Sequence, residues 1–296
     1  MQISIVALPY NTQGKGQGGA SGPAALVAAG LVEQLQAQGH TVTGVRTVQM
    51  SREEEQEYGG WHRVGLAGGY LADLVHEARQ SGDFVLGLLA DCNGVLGMLG
   101  GLQQGPKPTW PMRVGLVWID AHGDYNTPET SPSGMLGGMP VAVAAGKALQ
   151  RLRLSNKLLV PLQSPDIVMV GMRDLDDLER QALDDDGLEL LREHDLIHRS
   201  PALREAMERL SAREDIVYVH VDLDILDPAV APAAGLPSPG GLTGKQLGEA
   251  LGELLSYPKV GALALVSYRA DADPTGQTKR EVLDAILGAT AGLLSR

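Results

Sequence analysis

The feature that most constrains the fold of this chain is a series of short apolar segments that alternate with longer amphipathic ones. Repetition of strand and helix predicts a mainly parallel sheet covered on both faces, which is a three-layer α/β/α fold. The predicted strands are ISIVAL (3–8), TVTGVRTV (41–48), FVLGLL (84–89), VGLVWID (114–120), IVMVGM (167–172), IVYVHVDLD (216–224) and ALALVSY (262–268). The predicted helices are 23–38, 64–80, 94–101, 138–148, 177–186, 201–211, 243–256 and 279–294.

The length and composition predict a single domain over residues 1–296. With 44% apolar residues the chain can bury a large core, and no composition shift or linker marks a boundary. Stretches rich in Gly and Pro (11–23, 125–140 and 227–243) follow predicted strands, so we expect them to be site loops. The active site of such a sheet is expected at the C-terminal ends of its strands.

Charge and cysteine content limit the partners and the compartment. A formal net charge of −12 argues against nucleic acid or an anionic membrane surface as a partner. The sequence has no apolar run near the roughly 20 residues of a membrane span, and its start, MQISIVALPY, has no basic segment typical of a signal peptide. The single cysteine, Cys92, excludes an internal disulfide and suits a reducing compartment. We therefore predict a cytoplasmic protein.

Two clusters of potential metal ligands end two of the predicted strands. Asp120, His122 and Asp124 alternate at the end of VGLVWID, and Asp222 and Asp224 end IVYVHVDLD. On an extended backbone such alternating side chains project from one face, where they repel one another unless a cation compensates them. Mostly oxygen ligands with an imidazole suit Mn²⁺ better than structural Zn²⁺. The pattern predicts a pair of divalent ions; the alternative is a solvated strand end.

Two long motifs resemble those of the arginase, agmatinase and formiminoglutamase (ureohydrolase) family. DAHGDYNTPETSPSG (120–134) resembles the signature DAHxDxNTPxTSxSG, and VDLDILDPAVAPAAGLPSPGGLT (221–243) resembles SxDxDxxDPxxxPGTGTPxxGGLT. GGASGPAALVAAGL (18–31) is similar to the family's N-terminal segment, and GLLADCNGVLG (87–97) stands in place of GGDHSxxxG. The resemblance runs from about residue 3 to residue 290 and implies an arginase-like fold.

The resemblance implies a centre of two Mn²⁺ ions per subunit with a bridging hydroxide that attacks an amidine-type carbon. By position, Asp120 and Asp222 would bridge the ions, Asp124 would complete the shell of one, and His122 and Asp224 that of the other. Asp124 and His122 are the implied catalytic residues, with Asp124 as the proton shuttle. The family also makes a homo-oligomer, a trimer or hexamer, the expected assembly.

The chain departs from the family at one metal ligand. Cys92 stands where the family has a histidine. We predict that its thiolate is a ligand, which shifts the metal preference toward Fe²⁺, Co²⁺ or Zn²⁺. The alternative is a small buried residue beside a half-occupied metal site.

Other departures concern the end of the pocket that would hold the cleaved group. Gly137, Leu236 and Ser267 replace polar residues of the family, and Ser267 replaces the glutamate that holds the guanidinium in arginases. Efficient hydrolysis of plain arginine is therefore not expected unless another acid, Asp271 or Asp273, takes over.

Positions that match the family's contacts to the amino-acid head are retained. They are Asn126, Ser131, Ser133, Asp176 and Glu179. The combination predicts a small amino-acid substrate with a modified guanidine, such as N-hydroxyarginine. A formimino or ureido amino-acid hydrolase, and a catalytically weak or silent homologue, are the alternatives.

Overall fold

The computed structural model describes residues 1–56, 59–105 and 111–296. The strands are β1 Gln2–Leu8, β2 Tyr10–Asn11, β3 Gly14–Lys15, β4 Thr41–Thr47, β5 Phe84–Leu89, β6 Val114–Ile119, β7 Ile167–Val170, β8 Glu189–Leu191, β9 Ile216–Asp222 and β10 Val260–Val266. Within the described residues, eight of these strands form one parallel sheet in the order β4-β1-β5-β10-β9-β6-β7-β8. The other two, β2 and β3, pair as a small antiparallel hairpin.

Helices follow most strands and connect them across the sheet. They are α1 Gly22–Ala28, α2 Leu31–Ala37, α3 Arg52–Glu55, α4 Gly60–Gln80, α5 Gly94–Gln103, α6 Pro140–Ala144, α7 Gln150–Ser155, α8 Asp177–Asp185, α9 Glu193–Ile197, α10 Pro201–Arg213, α11 Gly244–Ser256 and α12 Gln277–Ala291. Among the described residues, none of these helices combines the length and apolarity needed to cross a membrane.

Alternating strand residues build one apolar cluster on each face of the sheet. Val117 of β6 and Val219 of β9 point into the cluster that includes apolar residues of α1, α2, α10, α11 and α12. Their neighbours Trp118 and Tyr218 point into the other cluster, with residues of α4, α5 and α6. Because both faces are covered, each central strand is an almost continuous apolar run. The predicted three-layer α/β/α fold is confirmed.

The predicted strands are all present, with two differences in extent that matter for the site. The strand predicted over 114–120 ends at Ile119, and the one predicted over 216–224 ends at Asp222. The short edge strand β8 and the hairpin of β2 and β3 were not predicted. Strands of two or three residues are too short to show an alternating pattern in the sequence.

Two predicted helices are shorter than expected because of glycines with left-handed backbone. The helix predicted over 23–38 is divided into α1 and α2 at Gly30, where φ is 80°. The helix predicted over 138–148 is limited to α6, and Gly146 follows it with a φ of 77°. A right-handed helix cannot continue through such residues.

Candidate functional site

Four neighbouring strands deliver the candidate site residues to one edge of the sheet. Cys92 follows β5, Ser267 follows β10, Asp222 ends β9 and Asp120 follows β6. These strands are adjacent in the order β5-β10-β9-β6 and are parallel, so their C-terminal ends meet. All four side chains are buried, although the residues are far apart in sequence.

The carboxylates are arranged by tight turns and not by continued strands. The Oδ1 atom of Asp120 accepts a hydrogen bond from the backbone N–H of His122 at 2.7 Å. Oδ1 of Asp222 likewise accepts from the N–H of Asp224 at 3.0 Å. Asp124 has a left-handed backbone with a φ of 47°. The expectation that an extended backbone aligns these side chains is therefore wrong; Asp side chains that bond to the backbone two residues on create the turns.

The turns bring the predicted ligands into two overlapping groups. Cys92, Asp120 and Asp222 form one group, and Asp120, His122 and Asp224 form the other; within each, the ligand atoms lie within 4.8 Å of one another. His122 Nδ1 lies 3.2 Å from Oδ2 of Asp224 and 3.4 Å from Oδ1 of Asp120. Asp120 belongs to both groups, which is the arrangement that a pair of bridged ions requires.

Side chains from the ends of three strands meet at Oδ2 of Asp222. The thiol of Cys92 lies 2.9 Å from this oxygen and 3.7 Å from Oδ2 of Asp120. The hydroxyl of Ser267 donates a hydrogen bond to the same Asp222 oxygen at 2.6 Å. Ser267 itself has a φ of 71°, so its backbone is held in a left-handed conformation that turns the side chain toward the carboxylate.

The electrostatics of the cluster favour bound cations. Burial and the charge of Asp224 raise the pKa of Asp222 to about 7, and burial together with neighbouring carboxylates raises the pKa values of Asp120 and Asp124 well above their usual range. Burial lowers the pKa of His122, but its hydrogen bonds to Asp120 and Asp224 outweigh this and raise the value to about 11. The raised pKa values show that four ionised carboxylates cannot be accommodated together without compensation, and divalent ions would supply the positive charge that stabilises their ionised forms.

A glycine leaves space beside the carboxylates. A Cβ atom added at Gly235, where φ is 34°, would lie 3.0 Å from Oδ2 of Asp224 and 3.1 Å from Oδ1 of Asp222. A larger residue there would occupy the space next to two of the candidate ligands. Donor types, convergence, uncompensated charge and open space all fit a pair of divalent cations.

The cluster lines a cavity of about 620 Å³. All the site residues predicted from the sequence line it: Cys92, Asp120, His122, Asp124, Asn126, Ser131, Ser133, Asp176, Glu179, Asp222, Asp224 and Ser267. The glycine-rich and proline-rich stretches 11–23, 125–140 and 227–243 all contribute to its walls, as expected of site loops.

Comparison with known proteins decides the family. The family model described as "Arginase family" matches residues 1–291. The chain belongs to the arginase family. It is 30% identical to the arginase of Bacillus subtilis (strain 168) over 294 residues, which is 97% of each chain. A crystal structure of the arginase from that species superimposes with a TM-score of 0.85 at 29% identity, over 98% of each chain.

A second arginase structure is also similar. The Entamoeba histolytica arginase in complex with L-ornithine has a TM-score of 0.84 at 25% identity, over 97% of each chain. As a member of the arginase family, the chain is a metal-dependent hydrolase of C–N bonds. Enzymes of this family use a binuclear metal centre, and the two ligand groups described above are compatible with one.

The residues that match the family's contacts to the amino-acid head already have partners within the protein. The amide of Asn126 donates to Oδ2 of Asp176 at 3.0 Å. Oε1 of Glu179, which is buried, accepts from the backbone N–H of Tyr125 at 2.8 Å. Asn126, Asp176 and Glu179 therefore all line this part of the cavity, and Glu179 also holds the backbone of Tyr125.

The two serines of this set lie in the same loop and fix its shape. The hydroxyl oxygen of Ser131 accepts from the N–H of Gly134 at 3.0 Å, and that of Ser133 accepts from the N–H of Met135 at 3.2 Å. Both hydroxyls retain a proton to donate into the cavity.

The sequence left open whether Asp271 or Asp273 replaces the glutamate that is lost at Ser267. Both aspartates have other partners in the structure. Oδ2 of Asp271 accepts from the N–H of Gly18 at 3.1 Å. Asp273 accepts from the hydroxyl of Tyr268 and from the N–H of Lys279. Neither aspartate is among the residues that line the cavity, so neither replaces the lost glutamate.

The sequence-based prediction missed several lining residues, among them the ionisable side chains of Asp174, Arg269 and Asp91. Arg269 lines the cavity two residues after Ser267, and its side chain is exposed. Asp91 precedes Cys92, and burial raises its pKa to about 6. Their position just beyond the C-terminal ends of β10 and β5 was the available signal, since site residues collect there.

Proposed function

We propose that this enzyme hydrolyses a linear C–N bond of a small amino acid whose cleaved group is a modified guanidine, with N-hydroxyarginine as the leading substrate. The observation that carries the proposal is the state of Ser267. The hydroxyl of Ser267 donates a hydrogen bond to Asp222. The side chain at this position therefore has no carboxylate that could pair with a guanidinium. Loss of such a partner for a buried cation costs several kcal/mol, which disfavours plain arginine.

A second set of lining residues supports an amino-acid substrate. Asn126 and Asp176 present an amide and a carboxylate, and Ser131 and Ser133 present hydroxyls from one loop. Such groups can bind an α-amino group and an α-carboxylate together. L-Ornithine, bound in the similar Entamoeba histolytica arginase, is an amino acid of this kind.

The proposed chemistry requires two divalent ions per chain, and oxygen and imidazole ligands favour Mn²⁺. When bound, such ions act as Lewis acids and lower the pKa of water so that hydroxide is available near neutral pH. Asp120, which belongs to both ligand groups, would hold both ions, and the family resemblance assigns the same role to Asp222. Asp124 lines the cavity with a carboxyl whose raised pKa suits it to carry a proton to the leaving amine. His122 lies between Asp120 and Asp224 and would complete the ligands of the second ion.

A second candidate is hydrolysis of a formimino or ureido amino acid with an acidic group. Arg269 favours it: this exposed guanidinium lines the cavity, and none of the ion pairs that arginines form in the described part of the chain involves it. A free guanidinium can bind a carboxylate of the substrate with two hydrogen bonds.

Substrate profiling of the metal-loaded enzyme separates these candidates. We expect kcat/KM for N-hydroxyarginine to exceed that for arginine and agmatine by at least about 100-fold, the equivalent of roughly 3 kcal/mol. The amine product (ornithine, putrescine or glutamate) would be measured for every substrate, because N-hydroxyarginine releases hydroxyurea and not urea. Equal or faster turnover of arginine would contradict the first candidate.

The variant Arg269→Gln is the matched control for the second candidate. It should lower kcat/KM for formiminoglutamate by about 10-fold or more and leave N-hydroxyarginine unchanged, because only the acidic substrate needs the guanidinium. A chain that retains two ions and hydrolyses none of these compounds would support a silent homologue.

The proposal extends to a homo-oligomer, a trimer or hexamer, in the cytoplasm. The support is the family resemblance together with the single cysteine and the acidic composition. Light scattering on the purified protein measures the assembly, and a monomer at micromolar concentration would contradict it.

A further inference from the structure

The two ligand groups of the metal centre differ in one donor atom. The group of Cys92, Asp120 and Asp222 offers a sulfur and two carboxylates, whereas the group of Asp120, His122 and Asp224 offers an imidazole and two carboxylates. We name them the thiol subsite and the imidazole subsite. Because the subsites share Asp120, their ions would be neighbours and yet have different ligands.

The geometry places the sulfur inside its subsite and not beside it. Sγ of Cys92 lies 2.9 Å from Oδ2 of Asp222 and 3.7 Å from Oδ2 of Asp120. The side chain is only 4% exposed, and both of these contacts are to carboxylate oxygens that a metal could bind. An ion that contacts both carboxylates at this point also contacts the sulfur.

Donor type determines which ion each subsite prefers. Sites of nitrogen and oxygen ligands already bind Co²⁺ or Zn²⁺ more tightly than Mn²⁺, and a thiolate strengthens this preference because sulfur is a soft ligand. The imidazole subsite has no sulfur ligand, so it has only the ordinary preference of nitrogen and oxygen ligands for Co²⁺ or Zn²⁺ over Mn²⁺. The two subsites should therefore differ in selectivity even though they are adjacent.

We propose that the enzyme binds a mixed pair of metals, with a thiophilic divalent ion (Zn²⁺, Co²⁺ or Fe²⁺) in the thiol subsite and Mn²⁺ in the imidazole subsite. This inference rests on the proposed binuclear centre and is independent of the substrate. It assigns to Cys92 the selection of the metal as well as ligation.

Absorption spectroscopy with Co²⁺ tests the assignment directly. Metal-free enzyme would be titrated with Co²⁺, and a thiolate-to-Co²⁺ charge-transfer band should appear in the near ultraviolet with the first equivalent and saturate before the second. Since the sequence contains only one cysteine, no other thiol can give rise to this band. No band after two equivalents are bound would overturn the proposal.

A matched pair of variants assigns each subsite. Cys92→Ser should abolish the band and weaken binding of the first Co²⁺ by more than about 10-fold, since even outer partners of metal ligands have effects of that order. Asp224→Asn should retain the band and lose the second ion. A band that survives in Cys92→Ser would overturn the assignment.

A competition experiment needs no variant and so does not depend on variant folding. Metal-free wild-type enzyme would be dialysed against free Mn²⁺ in increasing excess over free Co²⁺, and its content measured by elemental analysis and by the Mn²⁺ paramagnetic resonance signal. The imidazole subsite should exchange Co²⁺ for Mn²⁺ at a lower excess than the thiol subsite, so that one Co²⁺ with one Mn²⁺ per chain is expected over an intermediate range. Replacement of both Co²⁺ ions at the same excess would overturn the mixed pair and leave the proposed hydrolase intact, whereas failure to bind two ions of any kind would contradict the proposed function itself.

Discussion

Replacement of Gly19 by alanine should disturb the strand end that carries Cys92. A Cβ atom at Gly19 would lie 1.9 Å from the carbonyl oxygen of Ala90 and 3.5 Å from Cα of Ser267. Real Cβ atoms do not approach closer than 3.0 Å, so the two backbones must separate by at least about 1 Å. Ala90 lies two residues before Cys92, and its N–H donates to the carbonyl of Leu8 at 3.0 Å, so it cannot move freely.

The expected cost is that of overpacking, about 1–3 kcal/mol. For a chain of this size each kcal/mol lowers Tm by roughly 2–4 °C. The assay is thermal unfolding with and without metal, combined with metal analysis, and we expect Gly19→Ala to lower both Tm and the content of the thiol subsite. Gly44→Ala is the matched control, because a Cβ there meets nothing within 4 Å and β4 lies at the far edge of the sheet. If Gly19→Ala matches Gly44→Ala in both measurements, the backbone around Ala90 moves aside without loss of stability or metal, and the reasoning is refuted.

Three further predictions concern the carboxylates and the wall of the cavity. Ser267→Ala removes the 2.6 Å hydrogen bond to Asp222 and should cost about 1.5–3 kcal/mol; an unchanged Tm would show that the bond contributes nothing. Glu179→Ala leaves the buried N–H of Tyr125 without its acceptor, and urea unfolding should show a loss of about 1–3 kcal/mol. The pKa of Asp222 rises on folding to about 7 from 3.8. As pH rises, the unfolded chain therefore releases the Asp222 proton at a lower pH than the folded chain does. The free energy of unfolding of the metal-free protein should fall as pH rises from about 4 to about 7. Bound metal should reverse this trend, and a Tm of the metal-free protein that rises over the same range would contradict the assignment.

Fold class could be predicted from the sequence because both faces of the sheet are covered. Strands such as FVLGLL in β5 carry no polar residue, which is typical of a buried parallel strand. The site could be located for a related reason: the apolar runs of β6 and β9 end in carboxylates that a packed sheet must bring to one edge.

The local geometry of the site could not be predicted in the same way. The sequence cannot show that the strands end at Ile119 and Asp222, because hydrogen bonds from the carboxylates to the backbone compete with strand pairing. Nor could it show that Glu179 supports the backbone of Tyr125, because that contact joins residues 54 positions apart. The sequence-based prediction missed Arg269 because a single arginine in a loop belongs to no recognisable sequence motif.

The position of β10 has a consequence for how the enzyme is made. β10 is the last strand in the chain and yet lies between β5 and β9, which carry Cys92 and Asp222. During synthesis those two strands cannot acquire their final spacing until residue 266 has been inserted between them. Domains fold as units as the chain emerges, so here the ligands of the thiol subsite come together in the last step of sheet assembly. Metal uptake at the proposed thiol subsite would therefore report that the central strands have come together, and we expect a truncated chain that lacks β10 not to bring Cys92 and Asp222 together.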